Sequence, residues 1–123
     1  MRIERFEEIK AWQEARILVK MIYQSVKNNK YFCNDYRFRE QISSAGVSIM
    51  SNIAEGFSRR TKKEFLQFLF VAKGSCAEVE SQLYVALDQD YISENMFKEL
   101  YAKAEEVAKI LSGFITYLLK ELK

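Results

Sequence analysis

The sequence predicts an all-α protein, an up-down-up-down antiparallel four-helix bundle. Three observations predict it. The 123 residues contain no proline and only four glycines, so little interrupts a helix. Apolar residues recur at helical spacing in four separate stretches. The connections between those stretches are short, which makes consecutive helices antiparallel neighbours.

The first helix is expected at about 6–28, with Ile9, Trp12, Val19, Ile22, Tyr23 and Val26 on its main stripe, and Asn28-Asn29-Lys30 closing it. The second, about 35–57, starts near Asn34 or Asp35, either of which can cap it. Its stripe is Phe38, Ile42, Ala45, Ile49 and Ile53. Thr61-Lys62-Lys63-Glu64 has the form of a capping box and opens the third helix, about 62–87. Phe65, Leu69, Ala72, Cys76, Val79 and Leu83 form its stripe. Ser93 caps the fourth, about 94–121, where Phe97, Leu100, Ala104, Val107, Leu111, Phe114 and Leu118 alternate steps of three and four. A chain of this length suits a single domain, 1–123.

The first three helices carry more apolar residues than one seam requires. Ala11, Ala15 and Leu18, then Val47, Met50 and Ala54, then Leu66, Phe70, Ala77 and Tyr84 widen the arcs. An arc this broad points to self-association as well as to a core.

Composition excludes several classes. There is no histidine, which removes histidine-based triads, His-bearing zinc sites and the Glu-x-x-His motif of di-iron bundles. Cys33 and Cys76 are too few for a disulfide scaffold or a four-thiolate metal site. The longest apolar runs, such as Phe68–Ala72, cannot span a membrane. Met1-Arg2-Ile3-Glu4-Arg5 lacks the apolar core of a secretory signal, so a cytoplasmic protein is expected.

The formal net charge of +2 hides an uneven distribution. Residues 34–73 carry seven basic and four acidic side chains, whereas 74–94 carry five acidic side chains and no basic one. In an antiparallel bundle, Arg59, Arg60, Lys62 and Lys63 form a basic pole opposite an acidic one at Asp88, Asp90 and Glu94. Four cations in five positions can neutralise phosphates. Lys62 and Lys63 also sit in a first helical turn, where the dipole favours anions, so folding does not call for them there. Arg37 and Arg39 are secondary candidates. No aromatic platform or groove-reading motif is visible beside these cations, so binding should be salt-steep and weakly sequence-specific.

Asn52 and Glu55 share a helical face beside Ile49 and Ile53, and a carboxylate near a core could act in proton transfer. A structural contact, with Glu55 bonded to an arginine or to backbone amides, is the simpler reading. Glu14, Glu55 and Glu78 could jointly hold a cation, but no spacing requires it. Gly74-Ser75 lacks the surroundings of a phosphate loop and is expected to mark close helix packing opposite Ala45-Gly46. Trp12 is expected as a core or interface anchor, Cys33 as a loop thiol and Cys76 as a small core residue. No catalytic constellation, metal site or cofactor site emerges.

The same residues form an ordered series. Trp12-Gln13-Glu14-Ala15, Gln41-Ile42, Ala45, Ser48-Ile49, Asn52-Ile53-Ala54-Glu55-Gly56, Arg59, Glu64-Phe65, Phe68-Leu69, Ala72-Lys73-Gly74-Ser75 and Glu78 follow one another along most of the chain. This series resembles the bacterial 23S ribosomal RNA intervening-sequence proteins, a four-helix family that includes the accessory variability determinant of diversity-generating retroelements. The resemblance implies a homopentameric ring with a basic channel. It further implies binding of RNA or DNA, or docking of a reverse transcriptase or other protein, without catalysis. Ser43-Ser44 replaces residues that are often basic in the family, and the proline usual before the second helix is missing near Cys33-Asn34. The expected function is that of a non-enzymatic, oligomeric, nucleic-acid-binding protein. The alternative is a scaffold or accessory factor that docks a polymerase or reverse transcriptase without touching nucleic acid.

Overall fold

Capping chemistry sets most of the helix boundaries in the computed structural model, which describes residues 2–122. A 3-10 turn at Phe6–Glu8 precedes α1 (Lys10–Lys27), a short α2 (Lys30–Asn34), α3 (Tyr36–Phe57), α4 (Lys62–Asp88) and α5 (Glu94–Glu121). Thr61 Oγ1 accepts from the Glu64 amide at 3.1 Å, and Ser93 Oγ accepts from the Met96 amide at 3.1 Å. Each side chain satisfies one of the orphan donors at its helix start. The Glu64 carboxylate returns to the Thr61 hydroxyl, at 3.1 Å, in place of the backbone amide a full capping box would engage.

Two boundaries differ from expectation. Ile9 is extended (φ −74°, ψ 120°) and separates the 3-10 turn from α1, so the first helix begins at Lys10. Asn29, expected to terminate structure, instead starts it. Its side chain accepts from the Tyr31 and Phe32 amides, both at 3.0 Å, and caps α2. Asp35 then caps α3 by accepting from the Phe38 amide at 3.2 Å.

Each of α1 and α4 packs against both α3 and α5, so α1 and α4 lie on opposite sides of an up-down-up-down bundle. The α3 stripe is buried as expected, from Phe38 to Ile53. On the first helix the expected stripe is buried in part. Ile9, Ile22 and Val26 are in the core as expected, but Ala11, Ala15 and Leu18 join them there, while Trp12 and Val19 are half-buried and Tyr23 is exposed. α1 packs closely on α3 at Gly46, where a Cβ would lie 3.1 Å from Ile22 Cδ1 and 3.4 Å from Val19 Cγ2. Trp12 meets Phe6 edge to face, 5.2 Å between ring centres. In α5, Ile115 replaces Phe114 on the buried seam, and Phe97 and Phe114 are half-buried beside it. In α4, Leu66 is buried and Phe65 half-buried.

α3 and α4 approach each other closely at Gly56. A Cβ there would lie 2.7 Å from Phe68 Cβ and 2.9 Å from Phe65 Cδ1, inside contact distance. Further along the pair, Ser48 and Ser75 share a 3.0 Å hydrogen bond, and Asn52 Nδ2 donates to the Ser48 carbonyl at 2.8 Å. Gly74, expected at a close contact, has nothing within 4 Å of an added Cβ. The packing residue of that pair is the buried Ser75, and Gly46 meets α1 instead.

These contacts predict opposite outcomes for two glycines. Gly56→Ala should lose about 1–3 kcal/mol through overpacking. Gly113→Ala, in open space within α5, should gain up to about 1 kcal/mol from helix propensity. Urea unfolding followed by circular dichroism measures both; a Gly56→Ala variant as stable as the parent would refute the contact.

Candidate nucleic-acid interface

The four-residue turn 58–61 joins α3 to α4 at one end of the bundle. Ser58 closes α3 by donating its hydroxyl to the Glu55 carbonyl at 2.7 Å, and the Arg59 amide donates to the Gly56 carbonyl at 3.1 Å. Arg59, Arg60, Lys62 and Lys63 are therefore brought together as expected, all exposed. Their availability differs. Arg59 pairs with Glu55 at 2.9 Å and its guanidinium lies 4.7 Å from the centre of the Phe68 ring. Lys62 reaches across to Glu121 at the end of α5, and that ion pair with its hydrogen bond holds the Glu121 carboxyl below its usual range. Arg60 and Lys63 form no ion pair among the described residues.

Arg37 and Arg39 do not join this group. They lie in the first turn of α3, about 30 Å from the basic turn along a 22-residue helix. Arg39 is held locally, donating to the Cys33 carbonyl at 2.6 Å and stacking 4.5 Å from the centre of the Tyr36 ring. That end also carries Asp88, Asp90 and Glu94, because Tyr91 of the α4–α5 loop stacks on Phe32 (5.0 Å) and donates its hydroxyl to Asp35 at 2.7 Å. The hydrogen bond lowers the Asp35 carboxyl and raises the Tyr91 phenol. With Lys27, Lys30, Arg37 and Arg39 nearby, the expected acidic pole has mixed charge.

The sequence reading missed the aromatic residues beside the cations. A notch of about 240 Å³ is lined by Phe57, Phe65, Phe114 and Tyr117 together with Arg59, Arg60, Thr61 and Lys62. Phe65 packs edge-on against Phe57 (6.0 Å) and Phe114 (5.5 Å). Phe57 and Phe65 bracket the basic turn in sequence and could have signalled this. Phe114 and Tyr117 arrive from α5 and needed the three-dimensional alignment. Through Ile3, Phe114 and Tyr117 the notch adjoins a larger trough of about 410 Å³, lined mainly by Ile3, Ile9, Ala11, Ile110 and Gly113.

The chain matches the family model described as 23S rRNA-intervening sequence protein over residues 7–113. It belongs to that family. A crystal structure of a protein of unknown function from the S23 ribosomal protein family of Bacteroides thetaiotaomicron shares the fold. That protein is 21% identical, with a TM-score of 0.71 over 85% of this chain and 97% of its own. No curated protein matches the chain.

The remaining family-motif residues fall into separate places. Glu55 is exposed and paired with Arg59, and Asn52 is bonded within α3. Glu78 is exposed and lines a groove with Gln41, Ser44, Ser48 and Gln82. The contacts of Gly56 place Glu55 level with Phe65 and Phe68, several turns from Glu78, and Glu14 lies across the bundle on α1. No cluster of three or more metal-ligating side chains occurs among the described residues. Among them, too, no helix is long and apolar enough to cross a membrane. Cys76 is buried, which pushes its thiol up to about 12 and leaves it protonated.

Glu14 is the one buried charged residue among those described. It pairs with Lys103 of α5 and, at 3.1 Å, with Lys10, and these hydrogen bonds lower its carboxyl to about 2 against the cost of burial. A depressed folded-state value means the stabilisation is complete above the unfolded carboxylate range and disappears as pH falls through about 2. The contribution is on the order of 3 kcal/mol at neutral pH. Glu14→Gln should lower neutral-pH stability by a few kcal/mol and flatten the acid limb between pH 5 and 2. A pH series of urea titrations tests this, and an unchanged acid limb would contradict it.

Proposed function

We propose that this protein is a non-enzymatic, oligomeric nucleic-acid-binding protein that contacts RNA or DNA chiefly through phosphates. The observation that carries the reading is the α3–α4 turn, where Arg60 and Lys63 stand exposed and without acidic partners among the described residues, beside the half-neutralised Arg59 and Lys62. Unpaired cations concentrated at one end of a bundle attract polyanions and release counterions on binding. Arg2 adds charge nearby, since the neighbouring Ile3 lines the same notch.

Self-association is supported by two outward faces on opposite sides of the protomer. α1 presents Lys10, Arg16, Lys20 and Lys27 around the exposed Ile17 and Tyr23. Its one acid, Glu14, is buried. α4 presents Phe70, Val71, Tyr84 and Val85, with Glu78 and Asp88 but no cation after Lys73. Complementary patches on opposite sides favour head-to-tail contacts, which close into rings. A homopentamer is the count that family membership favours, and a ring repeats the basic turn around its axis. The second reading assigns the exposed α4 face to a protein partner such as a reverse transcriptase or polymerase.

Fluorescence anisotropy with structured RNA and duplex DNA across a salt series tests the proposal. The parent should bind at low salt and weaken steeply as salt rises. Arg60→Glu with Lys63→Glu should weaken binding at least tenfold and flatten the logarithmic salt slope by about 1–2. Light scattering on the same samples should give five times the 14.5 kDa protomer mass. Unchanged affinity in the double variant would refute the site. A parent that ignores both ligands at low salt would refute nucleic-acid binding and favour the protein-partner reading.

A further inference from the structure

We infer that the preferred nucleic acid has an unpaired nucleotide, whose base enters the notch against Tyr117 and Phe114 while its phosphate lies on Arg60. The inference rests on the nucleic-acid reading above and names the ligand class. Three features of the notch support it. Its volume of about 240 Å³ admits one flat ring but not a duplex. Phe57, Phe65, Phe114 and Tyr117 are all half-buried, each keeping part of its surface accessible. The edge-to-face contacts of Phe65 with Phe57 and Phe114 fix the ring orientations before a ligand arrives, so little side-chain ordering is needed on binding.

The charges divide the work in the same way. Arg59 is committed to Glu55 and the Phe68 ring, which leaves Arg60 as the notch cation without a carboxylate partner among the described residues. Glu121, a carboxylate in the notch wall, is paired with Lys62, which reduces its repulsion of an incoming phosphate. The adjoining trough is a poorer place for a base. It shares Phe114 and Tyr117 with the notch, but the rest of its lining is mostly aliphatic and its one cation, Lys10, is paired with Glu14, so a nucleotide's phosphate finds no free partner there. Stacking on aromatic side chains tolerates any base, so the arrangement selects unpaired nucleotides rather than a sequence.

Three forms of one DNA duplex test this: blunt, with a three-nucleotide single-stranded overhang, and with that overhang made abasic. The abasic form keeps every phosphate and removes only the bases. The overhang should tighten binding about fivefold or more, the range of a single base stack, and the abasic form should return to the blunt value. Tyr117→Ala should bring the ratio of overhang to blunt affinity down to about 1, and Tyr117→Phe should preserve the parent's ratio. If Tyr117→Ala fails to fold, the abasic comparison on the parent protein decides alone. Equal affinities for all three forms, with Arg60→Glu still weakening them, would overturn the inference and leave the phosphate reading standing. No binding of any form at low salt would overturn both.

Discussion

The contact of Gly56 with Phe65 and Phe68 sets how α3 meets α4, and the arrangement of the candidate binding end depends on it. No side chain fits between these helices at that point, so the chain reverses within four residues. That tight reversal concentrates the basic side chains. It also places Phe57 and Phe65 beside each other and exposes them to the last turns of α5, which bring Phe114, Tyr117 and Glu121. A larger residue at position 56 would splay the helix pair and move the cations relative to the rings.

Electrostatics then separates structural charges from available ones. Glu14 and Lys103 form an ion pair sheltered between α1 and α5, where low exposure strengthens the attraction and raises the cost of losing one partner. Arg59 and Lys62 are surface pairs of modest worth that mainly restrict their own side chains. Arg60 and Lys63 have no such commitment among the described residues. A ligand can therefore take up their charge without first breaking an internal pair. At the other end, Asp35 and Tyr91 join two loops and account for a polar contact that needs no ligand.

Much of the fold was legible because helix signals here are local. Thr61, Ser93 and Asp35 cap as their types suggest, and the α3 stripe from Phe38 to Ile53 needed only periodicity. The choice between two plausible stripes on α1 was not local. Trp12 and Tyr23 are larger, yet Ala11, Ala15 and Leu18 are the buried residues and the rings lie toward the surface, a choice that depends on how the neighbouring helices pack. Asn29 looked like a helix end because its capping of α2 depends on Phe32 finding a core position beside Tyr91. At the candidate site the cations of the turn were legible from sequence neighbourhood alone. Neither the partnering of Lys62 by Glu121 nor the arrival of Phe114 and Tyr117 beside Phe57 and Phe65 was, since the whole of α4 separates the turn from α5 in sequence. Arg37 and Arg39 were grouped with the turn by charge count, and helix length separates them.

In the proposed reading the α3–α4 turn and the end of α5 form one nucleic-acid-binding surface. Hydrogen–deuterium exchange of the protein, with and without a single-stranded oligonucleotide, tests it. Slower exchange confined to residues 57–65 and 114–121 is the predicted result. Protection instead on the outer face of α4 or around 88–94, with the basic turn unchanged, would contradict the account.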